Sequence, residues 1–134
     1  YSDEVAKGLF HGHTYTANPL ACTAALAALE LLQTEEMQKN IQNIIQWHKA
    51  FDREIKNHPK VANTRQLGVI FALDLNVQME RYGNLRNRLF KHFMDQGVFL
   101  RPLGNTIYIL APYVTTKAQM DKIYDAIRSA LELV

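Results

Sequence analysis

The stretch that decides how this chain is built is FHGHTYTANPLAC, residues 10–22. It places a polar, glycine-containing loop directly before a run that is almost wholly apolar and rich in alanine. Asn18 can cap the free N–H groups at the start of a helix, and Pro19 is tolerated at the first helical position. The stretch therefore predicts a loop that ends at Asn18 and a helix over 19–32.

The predicted first helix carries apolar residues on all of its sides. A helix of this kind is buried against several neighbours, and its many alanines allow the backbone of another element to come close. In a chain of 134 residues, we expect such a helix to pack against another domain or subunit.

The composition is that of an ordinary soluble globular domain. Hydrophobic residues make up 48% of the chain, charged residues 21%, and the formal net charge is +2. Because acidic and basic residues are interspersed, neither nucleic acid nor a membrane surface is expected as a partner. We see no bilayer-spanning segment or signal peptide, and one cysteine fits a reducing compartment, so we expect a cytoplasmic protein. Since the chain starts at Tyr1 without methionine, we also expect it to be a piece of a longer protein.

The rest of the chain alternates between helical and strand patterns. Apolar spacing predicts one helix from Thr34 to just before Pro59, one over about 84–96, and a last one that starts at Thr116 with a capping box. Alternation predicts a strand over 67–76, and a hairpin of two short strands over 98–101 and 106–110. This order predicts an α+β fold, in which a small antiparallel sheet is covered on one face by helices.

Thr14 is the leading candidate for a binding residue. Its hydroxyl and its backbone N–H, which lie near a glycine, can both donate to a phosphate oxygen. Gly12 allows the backbone to come close to a ligand without a steric clash. The same residue types are also typical of a plain turn before a helix, and by themselves they favour that interpretation.

Arg101 is the second candidate. It ends a predicted strand and immediately precedes Pro102, and a guanidinium held on rigid backbone suits a bidentate contact with a carboxylate. An exposed strand-end arginine is the commoner case, so that alternative stays open. Tyr108 can line the same pocket, although packing within the sheet is favoured for it.

Metal binding and nucleophilic catalysis find little support in the sequence. His11 and His13 lie two residues apart, but two ligands do not complete a zinc site. Cys22 lies within an apolar helix and is expected to be a small packed residue. The remaining histidines are expected at the surface or its boundary: His48, His58 and His92. We therefore predict no metal site and no catalytic residue in this chain.

Two separated segments resemble the class III, pyridoxal-phosphate-dependent aminotransferases. Residues 12–22, GHTYTANPLAC, are similar to the G-x-[ST]-x-x-G-N-P-x-A-C loop of that class. Residues 101–113, RPLGNTIYILAPY, are similar to a segment of the branch that acts in biotin biosynthesis. The chain departs from these patterns at Ala17, where glycine is usual, and at Ala111, where proline is usual. These departures leave open a related enzyme of the class that acts on an ω-amino acid or a diamine.

The resemblance implies roles for four residues. Thr14 would donate to the phosphate of pyridoxal 5'-phosphate in the neighbouring subunit of a homodimer, and His13 would add a backbone contact. Gly12 would line the substrate pocket. Arg101 would hold the carboxylate of 8-amino-7-oxononanoate, and S-adenosylmethionine would be the amino donor.

The resemblance, which covers essentially the whole chain, also implies how the chain is divided. Residues 1–18 would be the cofactor-phosphate loop at the end of the large domain of a fold-type I transferase, residues 19–33 the interdomain helix, and residues 34–134 the small C-terminal domain. In this family the Schiff-base lysine precedes the loop by several tens of residues, so it would lie before Tyr1 and the chain alone would be inactive. A different hypothesis is a non-catalytic domain that binds a partner through its apolar first helix.

Overall fold

The computed structural model describes residues 3–8, 11–77 and 84–134. The chain forms two compact units, Tyr1–Thr34 and Glu35–Val134. In its described residues, the first unit contains a short 3-10 helix, Val5–Lys7, and helix α1, Pro19–Leu32. The described elements of the second unit are, in chain order, α2 Glu35–Ile55, β1 Val61–Leu67, β2 Ile70–Leu75, α3 Leu85–Asp95, β3 Thr106–Leu110 and α4 Lys117–Leu131.

Helix α1 begins where the sequence predicts. The Asn18 side-chain oxygen accepts hydrogen bonds from the N–H groups of Leu20 (3.0 Å) and Ala21 (3.1 Å), and Pro19 occupies the first helical position. No residue of α1 is buried within the chain. Cys22, predicted to be a small packed residue, is exposed. Coverage of α1 by another domain or subunit stays a prediction.

The three strands form one antiparallel sheet in the order β1-β2-β3. A two-residue turn, Gly68-Val69, joins β1 to β2, with Leu67 paired to Ile70 and Gly68 at a φ of 56°. A glycine with positive φ in the first position of such a loop is typical of tight hairpins. The prediction of a single strand over 67–76 is therefore wrong, since Gly68 reverses the chain and Leu67 belongs to β1.

The predicted hairpin between residues 98–101 and β3 is also wrong. β3 pairs with β2 instead, although the turn at Gly104 does form, with a φ of 63°. Residues 98–101 form no strand because their backbone bonds are local. The N–H of Leu100 donates to the carbonyl of Val98 (3.1 Å), and the N–H of Val98 donates to the preceding helix end.

Helices α2, α3 and α4 cover one face of the sheet, which confirms the predicted α+β arrangement. From β2 and β3, the side chains that point to this face are almost fully buried: Phe71, Leu73, Leu75, Ile107 and Ile109. From the helices, the core takes large apolar side chains: Ile44, Phe51, Leu89, Phe93, Met120 and Ile127. Burial of this apolar surface is the main stabilising contribution to the second unit.

The opposite face of the sheet is open in the described part of the chain. It carries exposed or half-buried apolar side chains: Leu67, Ile70, Tyr108 and Leu110. Asp74 of β2 ties the three strands together there, because its carboxylate accepts hydrogen bonds from Arg65 of β1 (3.0 Å) and from the Thr106 hydroxyl of β3 (2.6 Å). The Arg65 guanidinium holds the pKa of Asp74 below its usual range.

His48 of α2 is fully buried, so the prediction of a surface or boundary position for it is wrong. Its Nε2 lies 3.0 Å from the Val69 carbonyl oxygen, its Nδ1 lies 2.8 Å from the Tyr124 hydroxyl, and its ring stacks on Phe71. Because a carbonyl can only accept, Nε2 carries the proton and Nδ1 accepts from Tyr124. Both ring nitrogens are thus satisfied, which makes burial tolerable. Burial lowers the pKa of His48 and raises the pKa of Tyr124.

We expect His48 to make the stability of the second unit depend on pH. Above its ordinary pKa of 6.5, the imidazole is neutral in both the folded and the unfolded chain. Below that pH the unfolded chain takes up a proton that the folded chain does not, until the lowered folded pKa is reached. The free energy of unfolding therefore decreases as the pH is lowered through that window, by at most about 1.4 kcal/mol per pH unit for one proton.

This dependence is measured by urea unfolding at pH 5 to 8. Unfolding is monitored through the fluorescence of Trp47, the single tryptophan of the chain. A His48→Gln variant keeps a side chain that can donate to Val69 and accept from Tyr124 but cannot titrate. The fall in stability between pH 6.5 and 5 should be smaller in this variant. An equal fall in both proteins would contradict the role given to His48.

Candidate functional site

The loop before α1 is held by its own hydrogen bonds. The His13 N–H donates to the Thr16 hydroxyl (2.9 Å), the Thr16 N–H donates to the His13 carbonyl (2.9 Å), and the Tyr15 N–H donates to His13 Nδ1 (3.1 Å). The Thr14 hydroxyl and N–H have no hydrogen-bond partner among the residues that the structure describes. Among the described residues, Thr14 is therefore the threonine whose N–H and O–H are both uncommitted, whereas the Thr16 N–H is already bonded and only its O–H is left to donate.

The space around Gly12 and Thr14 is open. A Cβ built at Gly12 would meet no atom within 4 Å, and both residues are exposed. An anion site needs free N–H and O–H donors together with room for the oxygens, and this loop has both, so it fits a phosphate group. The N–H of His13 is already bonded to Thr16, so a phosphate contact from it requires that this bond be shared or released.

Ala17 occupies a backbone position that favours glycine. Its φ is 58°, and it is the only non-glycine residue with positive φ in the described ranges. The left-handed conformation costs a residue with a Cβ about 1–2 kcal/mol. This strain gives a physical reason for the glycine that is usual at this place in the class III loop pattern.

We expect Ala17→Gly to stabilise the loop and the cap of α1. Relief of the strain, less the greater flexibility of glycine in the unfolded chain, leaves a gain of up to about 1 kcal/mol. Hydrogen exchange of the Ala21 amide, which Asn18 holds, should then slow by about two- to fivefold. Ala27→Gly is the matched control, because glycine inside a helix is destabilising. Faster exchange in Ala17→Gly would contradict the strain at this residue.

Arg101 stands on a fixed piece of backbone in the second unit. The residue itself is exposed, whereas its two neighbours, Leu100 and Pro102, are buried. Its guanidinium makes no hydrogen bond or ion pair with any residue of the described ranges. The backbone is thus anchored on both sides of a cation that has no partner, which is an arrangement suited to binding an anion.

Arg101 lines a cavity of about 840 Å³ between residues 97–101, the end of β3 and the start of α4. Lys122 adds a second cation, and Tyr108 lines the same cavity although packing was favoured for it. None of the described residues in the wall is acidic. Such a wall attracts anions. Sequence reasoning missed Lys122. Its Nζ lies 2.8 Å from where a Cβ at Gly97 would be, so the glycine leaves room for this side chain.

The predicted site residues fall into two groups. Gly12, His13 and Thr14 share one loop of the first unit, whereas Arg101 belongs to the second unit, where it lines the same cavity as Lys122. Within the described ranges, no cluster of three or more histidine, cysteine or acidic side chains is placed to hold a metal ion. No helix in those ranges combines the length and the hydropathy needed to cross a membrane.

Residues 2–131 match the family described as Aminotransferase class-III. The chain belongs to the class III aminotransferase family. Enzymes of this family depend on pyridoxal phosphate. This cofactor carries a phosphate, the kind of group that fits the loop around Thr14.

Among class III aminotransferases, the chain is similar to curated enzymes named adenosylmethionine-8-amino-7-oxononanoate aminotransferase. It is 40% identical over 124 residues to the one from Synechococcus elongatus, a match that covers 92% of this chain. It is 35% identical over 136 residues to the one from Methanocaldococcus jannaschii, which covers 93% of this chain. In both cases the chain spans 29% of the length of the relative.

Solved class III structures share the fold. The crystal structure of the Methanocaldococcus jannaschii enzyme superposes with a TM-score of 0.82 at 31% identity, over 96% of this chain and 31% of that one. An ω-aminotransferase from Paracoccus denitrificans gives a TM-score of 0.82 at 25% identity, over 96% of this chain and 30% of that one. These structures confirm the predicted fold class, the C-terminal domain of a fold-type I transferase.

Proposed function

We propose that the protein carrying this chain is an aminotransferase that converts 8-amino-7-oxononanoate to 7,8-diaminononanoate, with S-adenosylmethionine as the amino donor. The observation that carries the proposal is Arg101, a guanidinium on anchored backbone that has no partner, in a cavity without acidic residues, as far as the described residues go. The names of the relatives at 35% and 40% identity support the same substrate.

In this proposal the chain supplies three parts of the enzyme. Residues 1–18 are the cofactor-phosphate loop at the end of the large domain, residues 19–33 are the interdomain helix, and residues 34–134 are the small C-terminal domain. The exposed apolar side chains of α1, among them Leu20, Leu26 and Leu31, support an interdomain position, because a large exposed apolar patch usually marks an interface.

Thr14 is the residue proposed to hold the cofactor. Its hydroxyl and its N–H donate to the phosphate of pyridoxal phosphate bound in the neighbouring subunit of a homodimer, and Gly12 leaves room for the substrate beside it. A negatively charged acceptor makes these hydrogen bonds stronger than neutral ones. When bound, pyridoxal phosphate supplies the amino-transfer chemistry, with its ring as an electron sink.

Arg101 is the residue proposed to hold the substrate. Its planar fork of N–H groups matches the two oxygens of a carboxylate, and Lys122 adds positive potential in the same cavity. Apolar residues form most of the remaining wall, among them Val98, Leu110 and Ile123. They suit the aliphatic chain that separates the carboxylate of 8-amino-7-oxononanoate from its ketone. The length of this aliphatic chain thus sets the distance between the anchored carboxylate and the reacting carbon of the substrate.

The proposal is tested with the complete protein that carries this chain, loaded with pyridoxal phosphate. With 8-amino-7-oxononanoate and S-adenosylmethionine, mass spectrometry should detect 7,8-diaminononanoate. A second reaction supplies β-alanine or putrescine with pyruvate, to test the alternative of an ω-amino-acid or diamine aminotransferase. Turnover of those amines without any diamine product from the keto acid would overturn the proposal, and so would the absence of transamination in both reactions.

A further inference from the structure

We propose that Arg86 of α3 is a further cationic residue of the carboxylate site. Together with Arg101, it selects substrates that bear a carboxylate. This inference rests on the proposed function, since it assigns a residue to the same substrate site. The two arginines line a second cavity, of about 440 Å³, whose wall is formed by Arg86, Asn87, Phe90, Phe99 and Arg101. Arg101 also lines the larger cavity, so it is common to both.

The charges in the smaller cavity are unbalanced. Within the part of the chain that the structure describes, no acidic residue lies in its wall, and neither Arg86 nor Arg101 has a hydrogen bond or an ion pair. Two like charges that share a cavity raise each other's electrostatic energy, and a bound anion lowers it. Each guanidinium carries five N–H donors, and an ionised carboxylate has about four acceptor sites. One carboxylate can therefore accept hydrogen bonds from both arginines.

The apolar part of the wall strengthens this arrangement. The rings of Phe90 and Phe99 are nearly perpendicular, with their centroids 5.9 Å apart. Phe90 is half-buried and Phe99 is 75% exposed, so the cavity stays open to water. The two rings offer the alkyl part of a bound carboxylic acid an apolar contact beside the two arginines.

The comparison with Arg88 on the same helix separates a binding role from a structural one. Arg88 donates to the backbone carbonyl of Leu133 (2.9 Å) and so ties α3 to the end of the chain. Arg86 is exposed and makes no such bond, while the buried residues of α3 are Leu89 and Phe93. Within the described ranges no contact of the fold uses the Arg86 guanidinium, which leaves it available for a ligand.

Kinetics of the complete enzyme test the inference. Arg86→Ala should raise KM for 8-amino-7-oxononanoate by about five- to tenfold with kcat nearly unchanged, because the lost contact is made in the bound substrate and the transition state alike. Arg86→Lys should recover part of the loss. Arg53→Ala, which removes an exposed arginine of α2, is the matched control and should leave KM unchanged.

A binding measurement separates this inference from the proposed function. Titration calorimetry of the complete enzyme compares nonanoate, which has a carboxylate, with nonanamide, which has no charge. Arg86→Ala should weaken nonanoate binding by about five- to tenfold and leave nonanamide binding unchanged. In an Arg101→Ala background, the Arg86 substitution should weaken nonanoate binding by less than twofold, since both residues hold one carboxylate. Equal weakening of nonanoate and nonanamide, or a change below twofold for nonanoate in the single variant, would overturn the role of Arg86. Failure of the wild-type enzyme to use 8-amino-7-oxononanoate would overturn the proposed function alone, because the nonanoate titration still tests Arg86.

Discussion

Replacing Arg101 with alanine in the complete enzyme should lower kcat/KM for 8-amino-7-oxononanoate by about 100- to 1,000-fold. Two hydrogen bonds from a charged donor to a carboxylate are lost together, and each is worth about 1.5–3 kcal/mol. The exposed carboxylate of the substrate recovers part of that energy from water, so the net loss is about 3–4 kcal/mol. Steady-state kinetics with S-adenosylmethionine held at saturation measure the change.

Two further variants make the Arg101 result specific. Arg101→Lys keeps the positive charge but loses the planar fork, so its kcat/KM should fall between those of the wild type and the alanine variant. Arg53→Ala removes an exposed arginine elsewhere in the second unit and should have no effect. A fall of less than threefold in Arg101→Ala would show that the substrate carboxylate is bound by other residues.

Replacing Phe71 with alanine should lower the free energy of unfolding of the second unit by about 3–5 kcal/mol. Phe71 is fully buried on β2, and its ring contacts the rings of His48 (centroids 5.5 Å apart) and Phe51 (5.6 Å). The substitution leaves a cavity between the sheet and α2 that these neighbours can fill only in part. Urea unfolding of the chain, followed by Trp47 fluorescence, measures the loss.

Leu110→Ala is the control for Phe71→Ala. Leu110 lies on the open face of the sheet and is 65% exposed, so its truncation should change the free energy of unfolding by no more than about 0.5 kcal/mol. If the two variants were equally destabilised, the assignment of the buried and open faces would be wrong. If Phe71→Ala lost less than about 1 kcal/mol, Phe71 would not be at the centre of the core.

The helices could be predicted from the sequence because their ends carry local signals. Asn18 with Pro19 marks the start of α1, and Thr116 with Gln119 forms the capping box of α4, in which each side chain bonds the backbone of the other. The strands were harder, because pairing depends on residues far apart in the chain. The alternation over 67–76 continues through Gly68 without a break, so the pattern could not show that the chain turns there.

The same difference separates the site residues that were predicted from those that were missed. Arg101 could be named because Pro102 and the preceding apolar residues are adjacent to it in sequence. Lys122 of α4 lines the larger cavity and Arg86 of α3 the smaller one, and no local pattern marks either residue. His48 lies at helical spacing from the buried Ile44 and Phe51 of α2, which indicates an inward position. Its hydrogen-bond partner Tyr124 lies 76 residues away, so the pairing that makes its burial tolerable could not be foreseen from its neighbours.

A crystal structure of the complete protein with pyridoxal phosphate and 8-amino-7-oxononanoate bound tests the whole account most directly. We expect the cofactor phosphate within about 3 Å of the Thr14 hydroxyl and N–H, and the substrate carboxylate in a bidentate contact with Arg101. A phosphate held by other residues, with the carboxylate remote from Arg101, would contradict the division of binding tasks described for this chain.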